Sequence, residues 1–140
     1  MNVNGVPTPD EIKKYAIFWH DSAIDNMKTA ESLLHSKRYN FAMFMCQQTL
    51  EAILKCVFLK LKAERPPFIH KLPRLLTMSG LKVPLWLDKI ILRVDAHYIK
   101  ARYFNDRFDL QIYNRKNASE LIEHTRKVLQ WFVKELKLKE

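Results

Sequence analysis

The run Phe41 to Lys55, FAMFMCQQTLEAILK, constrains the fold more than any other stretch of the chain. It has no Gly, Pro or Asp and lies inside a helix-length segment beginning near Tyr39 and ending near Lys62. Its apolar residues point to nearly every side of a 3.6-residue helix, so this helix belongs in the middle of the fold with other helices around it. Against that background Gln48, Glu51 and Lys55 are spaced three and four apart and stack on one face. A buried polar group without a partner costs roughly 1–3 kcal/mol, and a charge more, so these three must bond to one another or to a ligand.

The rest of the chain supplies the surrounding helices. Thr8-Pro9-Asp10-Glu11 has the form of a capping box with Pro at the first helical position, and it opens a helix that runs to about Ser36. Ile12, Tyr15, Trp19, Ala23, Met27, Ala30, Leu33 and Leu34 form its apolar stripe, and Lys37-Arg38 mark the break. Pro66-Pro67 prevent the central helix from continuing. His70 to Leu76 read as a short third helix opened by His70 and closed by Gly80, which supplies the left-handed stop. Pro84 opens a fourth helix through Ala101. Residues 102–116 lack helical periodicity and carry Tyr103, Phe104, Phe108 and Tyr113 among basic residues, which predicts a functional loop packed onto the domain. Asn117-Ala118-Ser119-Glu120 reads as a second capping box that starts the last helix.

The expected fold is all-α: an up-and-down bundle of four long helices plus a short one, in a single domain over residues 8–140 behind a loose tail at 1–7. A chain of 140 residues can bury about two thirds of its unfolded surface. Only two glycines occur, which argues against a Gly-rich phosphate loop. Cys46 and Cys56 are ten residues apart on one helix, separated by roughly 15 Å at the helical rise, and cannot pair. No Cys/His clustering of metal type, no signal peptide and no apolar run of membrane-spanning length is apparent, so the reading is cytoplasmic, without metal, cofactor or membrane. The net charge of +9 is uneven: residues 1–36 hold three basic and five acidic groups, and the remainder holds 21 and ten. Such a surface suits a polyanion, nucleotide or RNA, and equally suits plain solubility.

Several residues have two readings each. Gln48, Glu51 and Lys55 fit a groove in which Lys55 meets a phosphate and the others a base or ribose. They also fit an internal network built on the favourable Glu51-to-Lys55 order. His70 fits either a helix-start bond or a proton carrier. Tyr98 and Arg102 are one turn apart, so Arg102 can clamp a phosphate while Tyr98 or Tyr103 stacks on a base; alternatively Arg102 stacks on Tyr98 and pairs with Asp106 or Glu51. Arg93 and His97 share a helical face and form an alternative acid–base pair. His20, His35 and His124 read as surface residues, and Trp19, Trp86 and Trp131 as core or interface anchors.

The ordered set Trp19, Ala23, Ala30, Leu33-Leu34, Tyr39, Ala42, Gln47-Gln48, Glu51, Leu54-Lys55, Pro66-Pro67, His70-Lys71-Leu72, Leu75-Leu76, Tyr98 and Arg102-Tyr103 resembles the HEPN domain (higher eukaryotes and prokaryotes nucleotide-binding) over roughly residues 15–135. The resemblance implies a helical bundle, commonly a homodimer, often paired with a minimal nucleotidyltransferase as a toxin–antitoxin or nucleotide-transferring module. Many relatives are metal-independent ribonucleases with Arg followed after four to six residues by His near the start of the late helix. This chain departs from that pattern. Arg115 is too far from His124, and Arg93 and His97 have only three residues between them. Arg65 and His70 have four between them but flank the Pro-Pro connector. The expectation is therefore a non-catalytic protein that binds a nucleotide such as ATP or pairs with a nucleotidyltransferase, through Gln48, Glu51, Lys55, His70, Tyr98, Arg102 and Tyr103. The alternative is a ribonuclease using a displaced Arg93/His97 pair.

Overall fold

The computed structural model describes residues 5–103 and 111–138. Among them the regular structure is all helical: α1 (Pro9–His35), α2 (Tyr39–Lys62), α3 (Leu72–Ser79), α4 (Leu85–Asp95), α5 (His97–Lys100) and α6 (Arg115–Leu136). The all-α bundle is as expected. Its central element is α2, which packs along α1 most extensively and also touches α3, α4, α5 and α6.

That placement follows from composition. From Thr49 to Leu59 every residue of α2 is buried, so the helix has no solvent face there. By length and hydropathy α2 does reach membrane-spanning character, with a mean hydropathy of 1.3 over its best window, contrary to the expectation that no such run exists. The bundle supplies the reason, because 83% of that window is buried against other helices. An encircled core helix needs the same apolar surface as a membrane span.

The helix ends obey local chemistry. The Thr8 hydroxyl accepts from the Glu11 N–H at 3.2 Å, and the Glu11 carboxylate accepts from the Thr8 N–H at 3.0 Å, completing the capping box. At the α1–α2 break Lys37 adopts φ 64°, with Arg38 N–H bonded to Leu33 C=O at 2.8 Å and Lys37 N–H to Leu34 C=O at 3.1 Å. This is a Schellman closure built without glycine. Gly80 ends α3 at φ 74° as expected.

Three boundaries differ from the sequence reading. The third helix begins at Leu72, and His70 stands outside it; the Leu72 N–H is capped instead by Asp95 Oδ1 at 2.8 Å, from the end of α4. The expected fourth helix is divided at Ala96 into α4 and the single turn α5. The last helix is capped by Asn114, whose side chain accepts from the Asn117 N–H at 2.9 Å, so Asn117 is inside the first turn. Its own amide donates to Ile112 C=O at 2.8 Å, which takes it out of the capping role. The predicted 102–116 loop falls partly on 104–110, outside the described residues.

Candidate functional site

The polar stripe of α2 is buried. Glu51 and Lys55 are only 7% and 5% exposed, and Gln47 is fully enclosed. Gln47, Glu51 and Lys55 are four residues apart in succession, and this row, more than Gln48, forms the inward polar edge. Lys55 Nζ donates to Glu51 Oε2 at 3.1 Å. Gln47 Nε2 donates to the His70 carbonyl at 2.9 Å and to Glu51 Oε1 at 3.3 Å. Gln48 is half-buried and supports from behind, donating to Gln47 Oε1 at 2.7 Å, while its carbonyl accepts from Asn26 of α1 at 3.3 Å.

His70 joins this network from the connector. Its Nδ1 lies 3.0 Å from Glu51 Oε1. A carboxylate can only accept, so Nδ1 carries the hydrogen and Nε2 is the nitrogen left over. The imidazole side chain is 50% exposed, so one edge is fixed by a buried acid while the other meets solvent. The ring stacks on Tyr98, with centroids 4.5 Å apart and planes 17° from parallel. Arg102 lies over the same Tyr98 ring at 4.7 Å, over Phe44 at 4.5 Å and over Tyr103 at 5.3 Å. Its Nε donates to Tyr98 C=O at 2.8 Å. The stacked arrangement anticipated for Arg102 is therefore present. Glu51 is taken up by Lys55 and His70, and Asp106 lies outside the described residues.

Of the residues expected in a single groove, His70 and Tyr98 line one pocket and Lys55 lines another. One, of about 460 Å³, is lined by His70, Lys71, Arg74, Asp95, Tyr98 and Ile99. The other, of about 560 Å³, holds Lys55 with Trp19, Arg65 and Phe68. Lys55 Nζ lies 4.9 Å from the Trp19 ring centre and takes Glu51 Oε2, whereas His70 takes Oε1. A carboxylate with two oxygens serves two partners, so residues that share one helical row need not share one cavity. Tyr103 is exposed beside the stack.

The alternative acid–base pair is arranged differently. His97 is 7% exposed, and its Nδ1 meets the Tyr113 hydroxyl at 3.0 Å. Burial, with Lys100 adding to it, pushes the imidazole down to about 4. Arg93 turns away to His124, with its Nη1 3.0 Å from Nδ1. Because a guanidinium only donates, His124 is the acceptor there. Arg93 and His97 do line one small pocket of about 190 Å³ with Asn117 and Glu120, but each is committed to a different partner. His124 is thus partnered and half-buried, and His20 is buried, 3.0 Å from Asp21; neither is the free surface residue expected. Trp86 is 44% exposed, so it is not a core anchor within this chain. Arg65 lies over Tyr15 and near Glu11, apart from His70, which leaves their spacing without a geometric counterpart. Cys46 and Cys56 are free and buried, their thiols pushed up by burial to about 12 and 11. Among the described residues no cluster of three or more His, Cys, Asp or Glu is placed to hold a metal.

Sequence reasoning did not place Gln47, Lys71, Arg74 or Trp19 among the candidate site residues. For Gln47 the signal was present in the unbroken four-residue spacing to Glu51 and Lys55. For Trp19, on another helix, only the fold brings the ring to Lys55.

The comparisons with known proteins agree with this architecture. A model of the HEPN domain matches residues 16–136. The chain is similar to the crystal structure of TT1696 from Thermus thermophilus, at 29% identity and a TM-score of 0.75, over 86% of this chain and 96% of that one. It also shares the fold of ST0689, an archaeal HEPN homologue, at 20% identity and a TM-score of 0.70, with the same coverage of 86% and 96%. No functionally curated protein shows significant similarity to it. With the family model spanning most of its length and the bundle matching on both counts, the chain belongs to the HEPN domain family.

Proposed function

We propose that this HEPN protein binds a nucleotide, without cleaving RNA, in the cleft lined by His70, Lys71, Arg74 and Tyr98. The observation that carries the reading is the His70 ring: a buried carboxylate fixes its orientation, Tyr98 backs it, and half of it is exposed to the cleft. A pre-set aromatic surface is worth about 1–3 kcal/mol to a stacked base. Lys71 and Arg74 stand at the same cleft for phosphates, with Arg102 just behind the stack. Gln47, Gln48 and Glu51 act by holding His70, not by touching the nucleotide. Nothing in this arrangement needs a metal or a proton transfer.

Calorimetry with ATP and other nucleotides tests the proposal. Binding that weakens about tenfold in Arg74→Gln supports it, and absence of binding at millimolar nucleotide refutes it. Incubation with total RNA in EDTA tests the ribonuclease alternative: cleavage lost in His97→Ala would favour the Arg93/His97 pair over a nucleotide-binding role.

One further observation favours pairing with another chain, such as a minimal nucleotidyltransferase. Leu85 and Leu92 are seven residues apart on α4, Ile99 follows on α5, and all three are more than half exposed, at 68%, 56% and 62%. Seven-residue spacing keeps side chains on nearly one face of a helix. The row ends at Ile99, on the edge of the nucleotide cleft, so a docked partner would sit beside a bound nucleotide. Loss of co-purification on Leu92→Glu, with the fold intact, would support pairing; a co-expressed nucleotidyltransferase that fails to associate would remove it.

A further inference from the structure

The second pocket has a composition the nucleotide reading does not use. Its walls are Tyr15, Phe18 and Trp19 from α1 and Pro66, Pro67 and Phe68 from the connector, enclosing about 560 Å³. Phe18 and Trp19 pack edge to face, with centroids 5.2 Å apart, while Phe68 is fully exposed and Phe18 is 60% exposed. A volume of roughly 300–1,000 Å³ lined by aromatic side chains with a few polar groups is the usual form of a small-molecule site.

The charged groups lining this pocket are both cations, Lys55 and Arg65. Lys55 is the informative one. It is only 5% exposed, it carries three N–H donors, and among the described residues its one hydrogen-bond acceptor is Glu51 Oε2. A second N–H direction is covered by the face of Trp19, which attracts the charge but accepts no conventional bond. Glu51 neutralises Lys55, so the net charge the pocket offers is that of Arg65, held only loosely by Glu11 at 3.8 Å and itself more than half exposed.

We propose that this pocket binds a small, flat aromatic carboxylate, its ring against Trp19 and the Pro66-Pro67-Phe68 wall and its carboxylate between Lys55 and Arg65. One negative charge balances Arg65, and the second carboxylate oxygen fills the donor that Lys55 has to spare. The proposal does not rest on the nucleotide reading, since Lys55 and His70 engage different oxygens of Glu51.

The test titrates the full chain with 2-naphthoate and with its uncharged isostere 2-naphthamide, following the Trp19 indole N–H by NMR. Naphthoate should shift Trp19 saturably and bind at least tenfold more tightly than the amide. Arg65→Gln changes an exposed side chain without touching the core; it should weaken naphthoate three- to tenfold and leave the amide unaffected. Equal affinity for the two probes, an Arg65→Gln variant that binds naphthoate normally, shifts centred on Tyr98 in place of Trp19, or no binding at millimolar probe would each overturn the proposal. Self-association of the chain that blocks naphthoate and is abolished by Phe68→Ala would also overturn it, by showing the pocket covered by a second copy.

Discussion

Two histidines pack against the central helix and lead opposite lives. His70 is half exposed, its Nδ1 held by the buried Glu51 and its ring stacked on Tyr98. His97 is enclosed, bonded to Tyr113, and its imidazole is driven down to about 4 by burial. The first combines a fixed geometry with open access. The second has fixed geometry alone. Both are aromatic, polar and next to α2, so residue type does not separate a recognition surface from a packed core group. What separates them is whether the fold commits a buried charge to holding the ring at the surface, and in this chain it does so for His70.

The largest expected effect lies in that support. Lys55→Met takes the cation from Glu51 Oε2 and leaves the buried carboxylate with only His70 and Gln47 on its other oxygen, which should cost about 3 kcal/mol in urea unfolding, since breaking one member of a buried pair is far worse than replacing both. The double variant Glu51→Gln/Lys55→Met should recover most of that loss; a double variant as unstable as the single would show that the pair is not a coupled unit. On the His97 side the effect is one of pH. A histidine whose folded pKa is about 4, against an ordinary 6.5, is neutral in the fold while the unfolded chain takes up a proton. Its contribution is fully present above pH 6.5 and is lost as pH falls toward 4, on the order of 2 kcal/mol once solvent screening is allowed for. The melting temperature should therefore drop across that window, and His97→Gln should flatten the drop; a His97→Gln profile parallel to wild type would contradict it.

Smaller effects sharpen the contrast further. His70→Ala should weaken ATP about tenfold, or about 1.4 kcal/mol, by calorimetry, whereas His97→Gln should leave ATP affinity unchanged. Asp95→Ala removes the cap on α3 and should cost about 1 kcal/mol of stability, with a modest loss of nucleotide affinity because α3 carries Arg74. Arg93→Ala, at an exposed side chain facing His124, should change stability by about 0.5 kcal/mol or less.

How far the sequence discloses these features depends on how local their causes are. The capping box at Thr8, the stop at Gly80 and the central position of α2 all follow from residues within a few positions of one another, and the structure has each of them. The burial of Glu51 and Lys55 was also legible, because an apolar surround on one helix leaves their face no water. The break at Ala96 and the start of α3 at Leu72 were not, because Asp95 reaches across 23 residues to cap a helix whose own sequence has no capping side chain. Asn114 is a local cap, but the stronger-looking Asn117-to-Glu120 pattern competed with it, and only the tertiary bond from Asn117 to Ile112 decides between them. The division of the site into two pockets could not be read at all, since their linings are assembled from separate elements, His70 to Arg74 with Asp95 to Ile99 in one and α1 with Pro66 to Phe68 in the other.

The central claim is that His70, set by Glu51 and backed by Tyr98, is a stacking surface for a nucleotide base. Titrating ATP into the protein while following the ring protons of His70 and Tyr98 by NMR tests it most directly. Saturable upfield ring-current shifts at His70 are expected, and they should weaken in Glu51→Leu/Lys55→Met, which removes the acceptor for His70 Nδ1–H together with the buried charge pair. Saturable ATP binding that leaves the His70 ring unshifted, or no binding at millimolar ATP, would contradict it.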